Sequence, residues 1–175
     1  MTDSVYGSVA GRAAEAALGR AVVVTASDRA AAGTYEDRSG PVLVAALRGL
    51  GFDVDDAVVV PDGDPVEAAL RAAVGEGAAL VVTSGGTGLG PRDRTPEATR
   101  RVLEREVPGI AEALRADGAA RGVAAAMLSR GLAGVAGRTL VVNVAGSTGA
   151  ARDAAALLGP VLVHAVRQLR GADHG

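Results

Sequence analysis

The sequence predicts an α/β protein with a mostly parallel sheet that helices cover on both faces. Apolar, β-branched segments alternate with amphipathic segments, and the resulting order is β-α-β-α-β-loop-α-α-β-α. Consecutive parallel strands are joined by crossover connections, which place helices over the sheet. Polar or glycine-rich loops follow the predicted strands, which is where open α/β sheets bind ligands.

The composition indicates a single domain without disulfide bonds. The chain has 175 residues, of which 49% are hydrophobic, and it contains no cysteine. We expect one domain over residues 20–171, preceded by an extension of uncertain order at residues 1–19 and followed by a tail at residues 172–175. No signal peptide and no long apolar run is visible, so a cytoplasmic protein without a membrane segment is expected.

The charged residues argue against nucleic-acid binding and against several kinds of catalysis. The formal net charge is −2, all 18 basic residues are arginine, and they form no dense basic stripe. Without lysine there is neither a Schiff base nor a P-loop lysine, and two histidines argue against a Ser-His-Asp hydrolase or a histidine-rich zinc site. Carboxylates, hydroxyls, backbone N–H groups and arginines remain to carry chemistry.

Hydrophobic periodicity assigns the elements in order along the chain. Four strands are expected, at residues 20–25, 52–60, 78–82 and 138–143. Helices are expected at residues 42–50, 66–74, 96–106, 110–117, 124–128 and 150–169. Ser39, Asp64 and Thr95 are the candidate N-caps, because each stands one or two residues before a proline at a helix start.

A glycine-rich loop at residues 83–93 is the centre of the predicted site. It joins the third strand to a helix, and Gly85, Gly86 and Gly88 allow close approach of a ligand to the backbone. Successive free N–H groups in such a loop form a nest for anions, which suits phosphate. Asp93 at its far end is a candidate magnesium ligand. The alternative interpretation of the glycines alone is a tight turn without a ligand.

Side chains suited to binding also follow the other strands. They are Ser27 and Asp28 after the first strand, Asp62 after the second, and residues 143–147 after the fourth. Because parallel strands end at one edge of the sheet, these loops and the glycine loop are expected to converge on one site. An Asx turn is the alternative interpretation of Ser27 and Asp28.

Four segments together resemble the MogA/MoaB family of molybdenum cofactor biosynthesis proteins. They are SDRAAAGTYEDRSG, VVPDG, TSGGTGLGPRDRTPEAT and LSRGLAGVAGRTLVVN. The similarity covers about residues 20–170. The combination of TSGGTG with the PRD and TPEAT segments is a much more specific signature than the glycines alone.

The resemblance implies a three-layer α/β/α molybdopterin-binding domain that assembles as a homotrimer or larger oligomer. Active family members are molybdopterin adenylyltransferases, which transfer AMP from ATP to the terminal phosphate of molybdopterin and release pyrophosphate. Their product then serves molybdate insertion by a partner enzyme. The family's two functional aspartates match Asp62 and Asp93, and its phosphate-binding segment matches residues 84–88.

The chemistry that the composition leaves available suits this reaction, because the attacking phosphate is already an anion at pH 7. On the resemblance, Asp62 and Asp93 are expected to hold or orient Mg²⁺–ATP. The glycine loop is expected to cradle phosphate, and the loops after the first and fourth strands to contact the pterin or nucleotide. The complete set of expected binding residues is Ser27, Asp28, Ser84, Gly85, Gly86, Thr87, Gly88, Asn143, Gly146 and Ser147.

The last loop departs from the family pattern. Family members often read NLPGSP where residues 143–148 of this chain read NVAGST, so both prolines are absent. Proline restricts φ, and its loss predicts a more mobile loop and weaker pterin binding. Two rival functions stay open: a molybdopterin-binding paralogue without turnover, and a nucleotide hydrolase on the same scaffold.

Overall fold

The computed structural model describes residues 18–171, in which seven strands form one sheet. The strands are β1 (Arg20–Ala26), β2 (Asp53–Val54), β3 (Val58–Val60), β4 (Leu80–Ser84), β5 (Arg105–Glu106), β6 (Ala133–Ala136) and β7 (Thr139–Val144). The helices are α1 (Asp28–Ala31), α2 (Ser39–Gly49), α3 (Asp64–Gly75), α4 (Thr95–Arg100), α5 (Pro108–Ala120) and α6 (Thr148–Leu169), with a 3₁₀ helix at Ala124–Leu128. The strand order is β2-β1-β4-β7-β6-β5, and β3 also pairs with β1.

The predicted terminal segments fall almost entirely beyond this range. The extension at residues 1–19, apart from its last two residues, and the tail at residues 172–175 lie outside the described residues. Within residues 18–171, no helix is both long enough and apolar enough to cross a membrane.

The parallel strands β1, β4 and β7 form the centre of the sheet, and nearly all of their residues are buried. In the register, Val82 of β4 lies between Val23 of β1 and Val142 of β7. A strand that is covered on both faces reads as a continuous apolar run, and β-branched side chains pack well on its pleated surface. This is why the sequence predicts these three strands close to their observed positions.

Alternate residues of the central strands face two separate layers of helices. The core on one face joins Val82 to α2, α5 and α6. The core on the other face joins Val81 to α3 and α4. The predicted three-layer α/β/α architecture with a mostly parallel sheet is therefore confirmed.

The predicted helix at residues 96–106 is wrong in its second half. Helix α4 ends at Arg100, and β5 pairs antiparallel with β6, a strand that the sequence did not indicate. The segment around β5 is rich in helix-forming residues, so local propensity favours a helix. Pairing with β6 overrides that propensity, because Glu104 N–H donates to Val135 O at 2.9 Å and Val107 N–H donates to Ala133 O at 2.8 Å.

The predicted strand at residues 52–60 is two short strands. Both β2 and β3 pair in parallel with β1, and the exposed acidic residues Asp55 and Asp56 lie between them. The predicted N-caps also differ. Helix α2 begins at Ser39 itself, and Asp37 Oδ1 accepts the Ser39 N–H at 3.1 Å. Helices α3 and α4 begin at Asp64 and Thr95 without a side-chain cap hydrogen bond.

Candidate active site

The predicted site residues lie at the edge of the sheet where the parallel strands end. Ser27 N–H donates to Val60 O at 2.9 Å, which ties the loop after β1 to the end of β3. Gly85 N–H donates to Val144 O at 3.0 Å, which ties the glycine loop to the end of β7. The structure therefore brings the four loops together at one edge.

A cavity of about 550 Å³ opens between this edge, α5, the 3₁₀ helix and the start of α6. Leu114, Val123 and Leu128 give it an apolar wall on the side of α5 and the 3₁₀ helix. The predicted site residues that line it are Gly85, Gly86, Thr87, Gly88, Asp93, Asn143, Gly146 and Ser147. The remaining four, Ser27, Asp28, Asp62 and Ser84, do not line it.

The first two glycines of the loop occupy positions that no other residue fits. Gly85 has a φ of +96°, and a Cβ atom there would lie 2.3 Å from Ala26 O. Gly86 has a φ of +63°, and a Cβ atom there would lie 2.3 Å from Thr95 Oγ1 and 2.7 Å from Asp62 Oδ1. The glycines therefore let the loop pass close to β1 and let two polar side chains approach its backbone.

The glycine loop offers a row of N–H groups without partners. Within residues 18–171, the N–H groups of Gly86, Thr87 and Gly88 make no hydrogen bond. Successive free N–H groups in a tight loop form an anion-binding concavity. Gly85 does not contribute to it, because its N–H is already bound to Val144 O.

The loop after β7 provides a second group of donors beside the first. Gly146 contacts the glycine loop, since a Cβ atom at Gly146 would lie 3.1 Å from Gly85 Cα. Ser147 caps α6, and its Oγ accepts the Ala150 N–H at 3.0 Å. The first turn of this 22-residue helix therefore faces the cavity, and a helix N-terminus favours anions.

Asp28 and Asp62 are joined by two hydrogen bonds, on the side of the glycine loop that faces away from the cavity. Asp62 N–H donates to Asp28 Oδ1 at 3.1 Å, and Asp28 N–H donates to Asp62 Oδ2 at 3.3 Å. Arg92 forms an ion pair with Asp28 Oδ2. Ser27 Oγ accepts the Ala30 N–H at 3.2 Å and so caps the short helix α1.

Asp62 carries the perturbed carboxyl group of the site. Burial has the largest effect and raises the pKa of Asp62. The negative charges of Asp28 and Asp93 also raise this pKa, whereas the hydrogen bond from the Asp28 N–H and the positive charge of Arg92 lower it. Asp62 Oδ1 is buried without a hydrogen-bond partner, as is Thr95 Oγ1. A buried polar oxygen without a partner is unfavourable, so this corner of the site suits a ligand that Oδ1 can bind.

Asp93 lies inside the curve of the loop. Its Oδ2 accepts the Gly90 N–H at 2.8 Å. Cβ atoms at Gly88 and Gly90 would lie 2.9 Å and 2.7 Å from the same oxygen. The two small residues therefore allow the carboxylate to sit against the backbone and face the cavity.

The acidic residues fit Mg²⁺ only in combination with a phosphate ligand. Within residues 18–171, no group of three or more His, Cys, Asp or Glu side chains could hold a metal ion. Mg²⁺, however, is usually bound through one or two carboxylates together with substrate phosphates and water. Asp62 and Asp93 fit this pattern, because the charge of Asp93 helps to raise the pKa of Asp62 and because Asp62 Oδ1 lacks a partner within residues 18–171.

Ser84 and Asn143 are placed beneath the loops, with their side chains engaged by the protein. Ser84 is fully buried, and its Oγ donates to Ser39 Oγ at 2.8 Å. Asn143 Nδ2 donates to Thr83 Oγ1 at 3.0 Å and to Thr99 Oγ1 at 2.9 Å. Asn143 Oδ1 accepts the N–H of the residue before β6 at 3.0 Å. Both side chains are buried near the ends of their strands, so they support the loops from below.

The segment between the 3₁₀ helix and β6 contributes residues that the sequence analysis did not assign. Ser129 lines the cavity and its Oγ donates to Thr87 Oγ1 at 3.4 Å. Arg130 N–H donates to Thr87 O at 2.8 Å. Arg115 holds the segment by donating to Ser129 O and Gly131 O. Two signals were available: the polar Ser-Arg pair within a stretch of alanine and glycine, and its place in the LSRGLAGVAGRTLVVN segment that resembles the family.

Comparisons with known proteins show which proteins this chain resembles. A molybdenum cofactor biosynthesis bifunctional protein of Synechococcus elongatus is 43% identical over 156 residues, which is 89% of this chain and 49% of the relative. The molybdopterin adenylyltransferase of Helicobacter pylori is 35% identical over 155 residues, 85% of this chain and 86% of that protein. A solved structure of MogA superposes with a TM-score of 0.83 at 47% identity, covering 86% of this chain and 99% of the other. The chain spans about half the length of the bifunctional relatives that it matches.

Fold and site together define an α/β domain with a glycine loop of free N–H groups beside two carboxylates. The family described as a probable molybdopterin binding domain matches residues 22–164. The chain belongs to this family, and its resemblance to the MogA/MoaB proteins is confirmed.

Proposed function

We propose that this chain is a molybdopterin adenylyltransferase of molybdenum cofactor biosynthesis. It transfers AMP from ATP to the terminal phosphate of molybdopterin and releases pyrophosphate. The observation that carries the proposal is the row of unpartnered N–H groups at residues 86–88 beside Asp62 and Asp93. Relatives named molybdopterin adenylyltransferase, similar over most of this chain, support it.

The reaction requires little acid–base catalysis from the protein. A terminal phosphate oxygen of molybdopterin forms a bond to the α-phosphorus of ATP, and the bond from that phosphorus to pyrophosphate breaks. The attacking oxygen is an anion at pH 7, so no side chain has to remove a proton. The tasks are to bring two anionic groups together and to stabilise the charge that gathers on the leaving pyrophosphate.

Two neighbouring sets of donors suit these tasks. The N–H groups of residues 86–88 form one set, and the start of α6 after Gly146 and Ser147 forms the other. The two sets meet where Gly146 contacts Gly85. Two phosphates bound at the two sets are thereby held next to each other, and their mutual repulsion is offset by N–H dipoles and by the helix N-terminus.

Asp62 and Asp93 are the residues that would hold Mg²⁺ with the phosphates of ATP. When bound, Mg²⁺ supplies positive charge that neutralises the polyphosphate. Asp62 brings an oxygen without a partner, and Asp93 is held in place by the Gly90 N–H. The apolar wall of the cavity at Leu114, Val123 and Leu128 then suits the flat pterin ring system.

The setting of the reaction follows from the family resemblance. We propose that the protein works in the cytoplasm as a homotrimer or larger homo-oligomer. Its adenylylated product then passes to a molybdate-insertion enzyme.

One feature favours a second candidate function. The loop at residues 143–148 lacks both prolines of the common family pattern, which suits a molybdopterin-binding paralogue with weak turnover or none. Pyrophosphate release from Mg²⁺–ATP, measured with and without purified molybdopterin, separates the two functions. Release that requires molybdopterin supports the adenylyltransferase, whereas tight molybdopterin binding without release supports the paralogue. Release without molybdopterin would identify a nucleotide hydrolase.

The same assay tests Asp93 through a matched pair of variants. Asp93→Asn keeps the size of the side chain and removes its charge, so turnover is expected to fall by about a hundredfold or more while the fold survives. Asp56→Asn makes the same change at an exposed position between β2 and β3, and it should retain full turnover. An unchanged rate in Asp93→Asn would rule out the proposed role of this carboxylate.

A further inference from the structure

Arg130 binds the glycine loop at three points, although it lies 37 residues beyond Asp93 in the chain. Its backbone N–H donates to Thr87 O at 2.8 Å. Its Nε donates to Gly88 O at 2.8 Å, and its Nη2 donates to Asp93 O at 2.6 Å. All three acceptors are main-chain carbonyl groups, so Arg130 acts on the path of the backbone.

These bonds also determine where the neighbouring N–H groups point. In a trans peptide unit the C=O and the N–H point in opposite directions. The bond to Thr87 O therefore turns the Gly88 N–H away from Arg130. The bond to Gly88 O turns the Leu89 N–H away in the same manner. Thr87 and Gly88 line the cavity and Arg130 does not. Arg130 thus holds the loop from the side opposite the cavity.

The charge of Arg130 is already balanced by Glu97 in the first turn of α4. The guanidinium donates to both carboxylate oxygens of Glu97, and the two side chains are 35% and 37% exposed. The hydrogen bond from Arg130 is the main reason why the pKa of Glu97 is lowered. The guanidinium is therefore occupied by the protein, and it connects the loop to the helix that follows.

We propose that Arg130 is a positioning residue for adenylyl transfer, which holds the backbone at Thr87, Gly88 and Asp93 so that the Gly88 N–H and the Asp93 carboxylate face the phosphates of ATP. The inference rests on the proposed function. Arginine suits this role because its planar fork donates from Nε, Nη1 and Nη2 in fixed directions at once. A lysine side chain keeps the charge but offers only one nitrogen.

The test compares Arg130→Lys with Arg101→Lys. Arg101 also pairs with a glutamate, Glu67 of α3, but it follows the last residue of α4 and does not line the cavity. For each variant we would measure kcat and KM for Mg²⁺–ATP, the Kd of inorganic pyrophosphate by calorimetry, and Tm. Pyrophosphate binding needs no turnover, so a failure of the proposed function and a failure of this inference give different results.

Arg130→Lys is expected to lower kcat/KM by about 10–100-fold, the usual range for residues that orient a binding group without contacting the ligand themselves. Pyrophosphate affinity should fall by about fivefold or more, because the loop loses the two side-chain bonds at Gly88 O and Asp93 O and only the backbone bond to Thr87 O still holds it in place. Arg101→Lys should stay within about twofold of the wild type in both measurements. The inference is overturned if Arg130→Lys, too, keeps kcat/KM and pyrophosphate affinity within about twofold of the wild type.

Glu97→Gln provides the second test, which is decisive if Arg130→Lys does not fold. This variant removes the counter-charge and leaves the three bonds from Arg130 to the loop in place. Pyrophosphate affinity is expected to stay within about threefold of the wild type. A loss of tenfold or more would contradict the proposal, because the ion pair and not the bonds to the carbonyl groups would then be what matters.

Discussion

At the scale of single residues, Gly86 is a position where the loop leaves no room for a side chain. A Cβ atom there would meet the two buried side-chain oxygen atoms that lack a partner within residues 18–171, Thr95 Oγ1 at 2.3 Å and Asp62 Oδ1 at 2.7 Å. Thr95 is fully buried and cannot move aside. The positive φ of +63° adds backbone strain for any other residue. Glycine is therefore required twice, by the backbone and by the approach of the side chains.

Gly86→Ala is expected to destabilise the protein by about 2–4 kcal/mol, from backbone strain and overpacking together. Turnover should fall by about a hundredfold, because the loop and Asp62 can no longer keep their relative positions. The matched control is Gly33→Ala, where φ is +70° but, within residues 18–171 and apart from its chain neighbours, no atom lies within 4 Å of the added Cβ. It should cost about 1 kcal/mol and leave turnover unchanged.

Urea unfolding and pyrophosphate-release rates check both glycine variants. Equal turnover in Gly86→Ala and Gly33→Ala would show that close contact between Gly86, Asp62 and Thr95 is not needed for the reaction. Equal stability would show that Thr95 can give way.

At the scale of the elements, Asn143 joins three parts of the fold at the end of β7. Its side chain bonds Thr83 of β4, Thr99 of α4 and the N–H of the residue before β6. The side chains of Asn143, Thr83 and Thr99 are buried, so water does not readily replace a lost partner among them. Asn143 therefore contributes to the site by fixing the elements from which the loops leave.

Asn143→Ala is expected to cost about 2–4 kcal/mol, because it leaves buried donors and acceptors without partners. Ser147→Ala, at the exposed cap of α6, should cost only about 1 kcal/mol. The midpoints and slopes of urea unfolding for the two variants measure this difference. If Asn143→Ala were as stable as the wild type, the buried network would have to re-form with other partners.

The elements differ in how far the sequence could predict them. Strands β1, β4 and β7 are five or more residues long, contain consecutive Val or Leu residues and are covered on both faces, so that local pattern and tertiary environment agree. Strand β6 is Ala-Gly-Val-Ala, which carries no strand signal. Its Gly134 is required because a Cβ atom would lie 2.5 Å from Arg105 O in the neighbouring strand. This steric requirement for glycine arises only in the assembled sheet.

At the scale of the whole molecule, the loops that carry the predicted site residues lie at one edge of the sheet, together with residues that the sequence did not indicate. Parallel topology alone predicts that the loops after β1, β3, β4 and β7 meet at one edge. It says nothing about Arg130, which reaches the glycine loop from a segment with no periodic pattern. Nor does it distinguish Ser84, whose hydroxyl faces the core, from Thr87, which lines the cavity. These distinctions depend on side-chain direction within the folded chain.

The balance between stability and ligand binding at Asp62 gives the last prediction. Burial raises the pKa of Asp62 above its ordinary value of 3.8. The folded protein therefore binds this proton more tightly than the unfolded chain does. Stability is lost as the pH rises from 3.8 through the folded pKa, and at pH 7 the ionised carboxylate is unfavourable. Without ligands, Asp62→Asn should thus be at least as stable as the wild type at pH 7, and this advantage should shrink as the pH falls toward 3.8.

In the presence of Mg²⁺–ATP, the wild type is expected to become more stable than Asp62→Asn. A ligand at about 100 times its Kd stabilises the folded state by about 2.7 kcal/mol, which raises the Tm of a domain of this size by about 5–10 °C. Asp62→Asn is expected to lose the part of the shift that EDTA abolishes in the wild type, because Mg²⁺ loses a carboxylate. Asp56→Asn should keep the whole shift. An EDTA-sensitive shift in Asp62→Asn equal to that of the wild type would contradict the assignment, because Mg²⁺–ATP would then bind without this carboxylate and its burial would need another explanation.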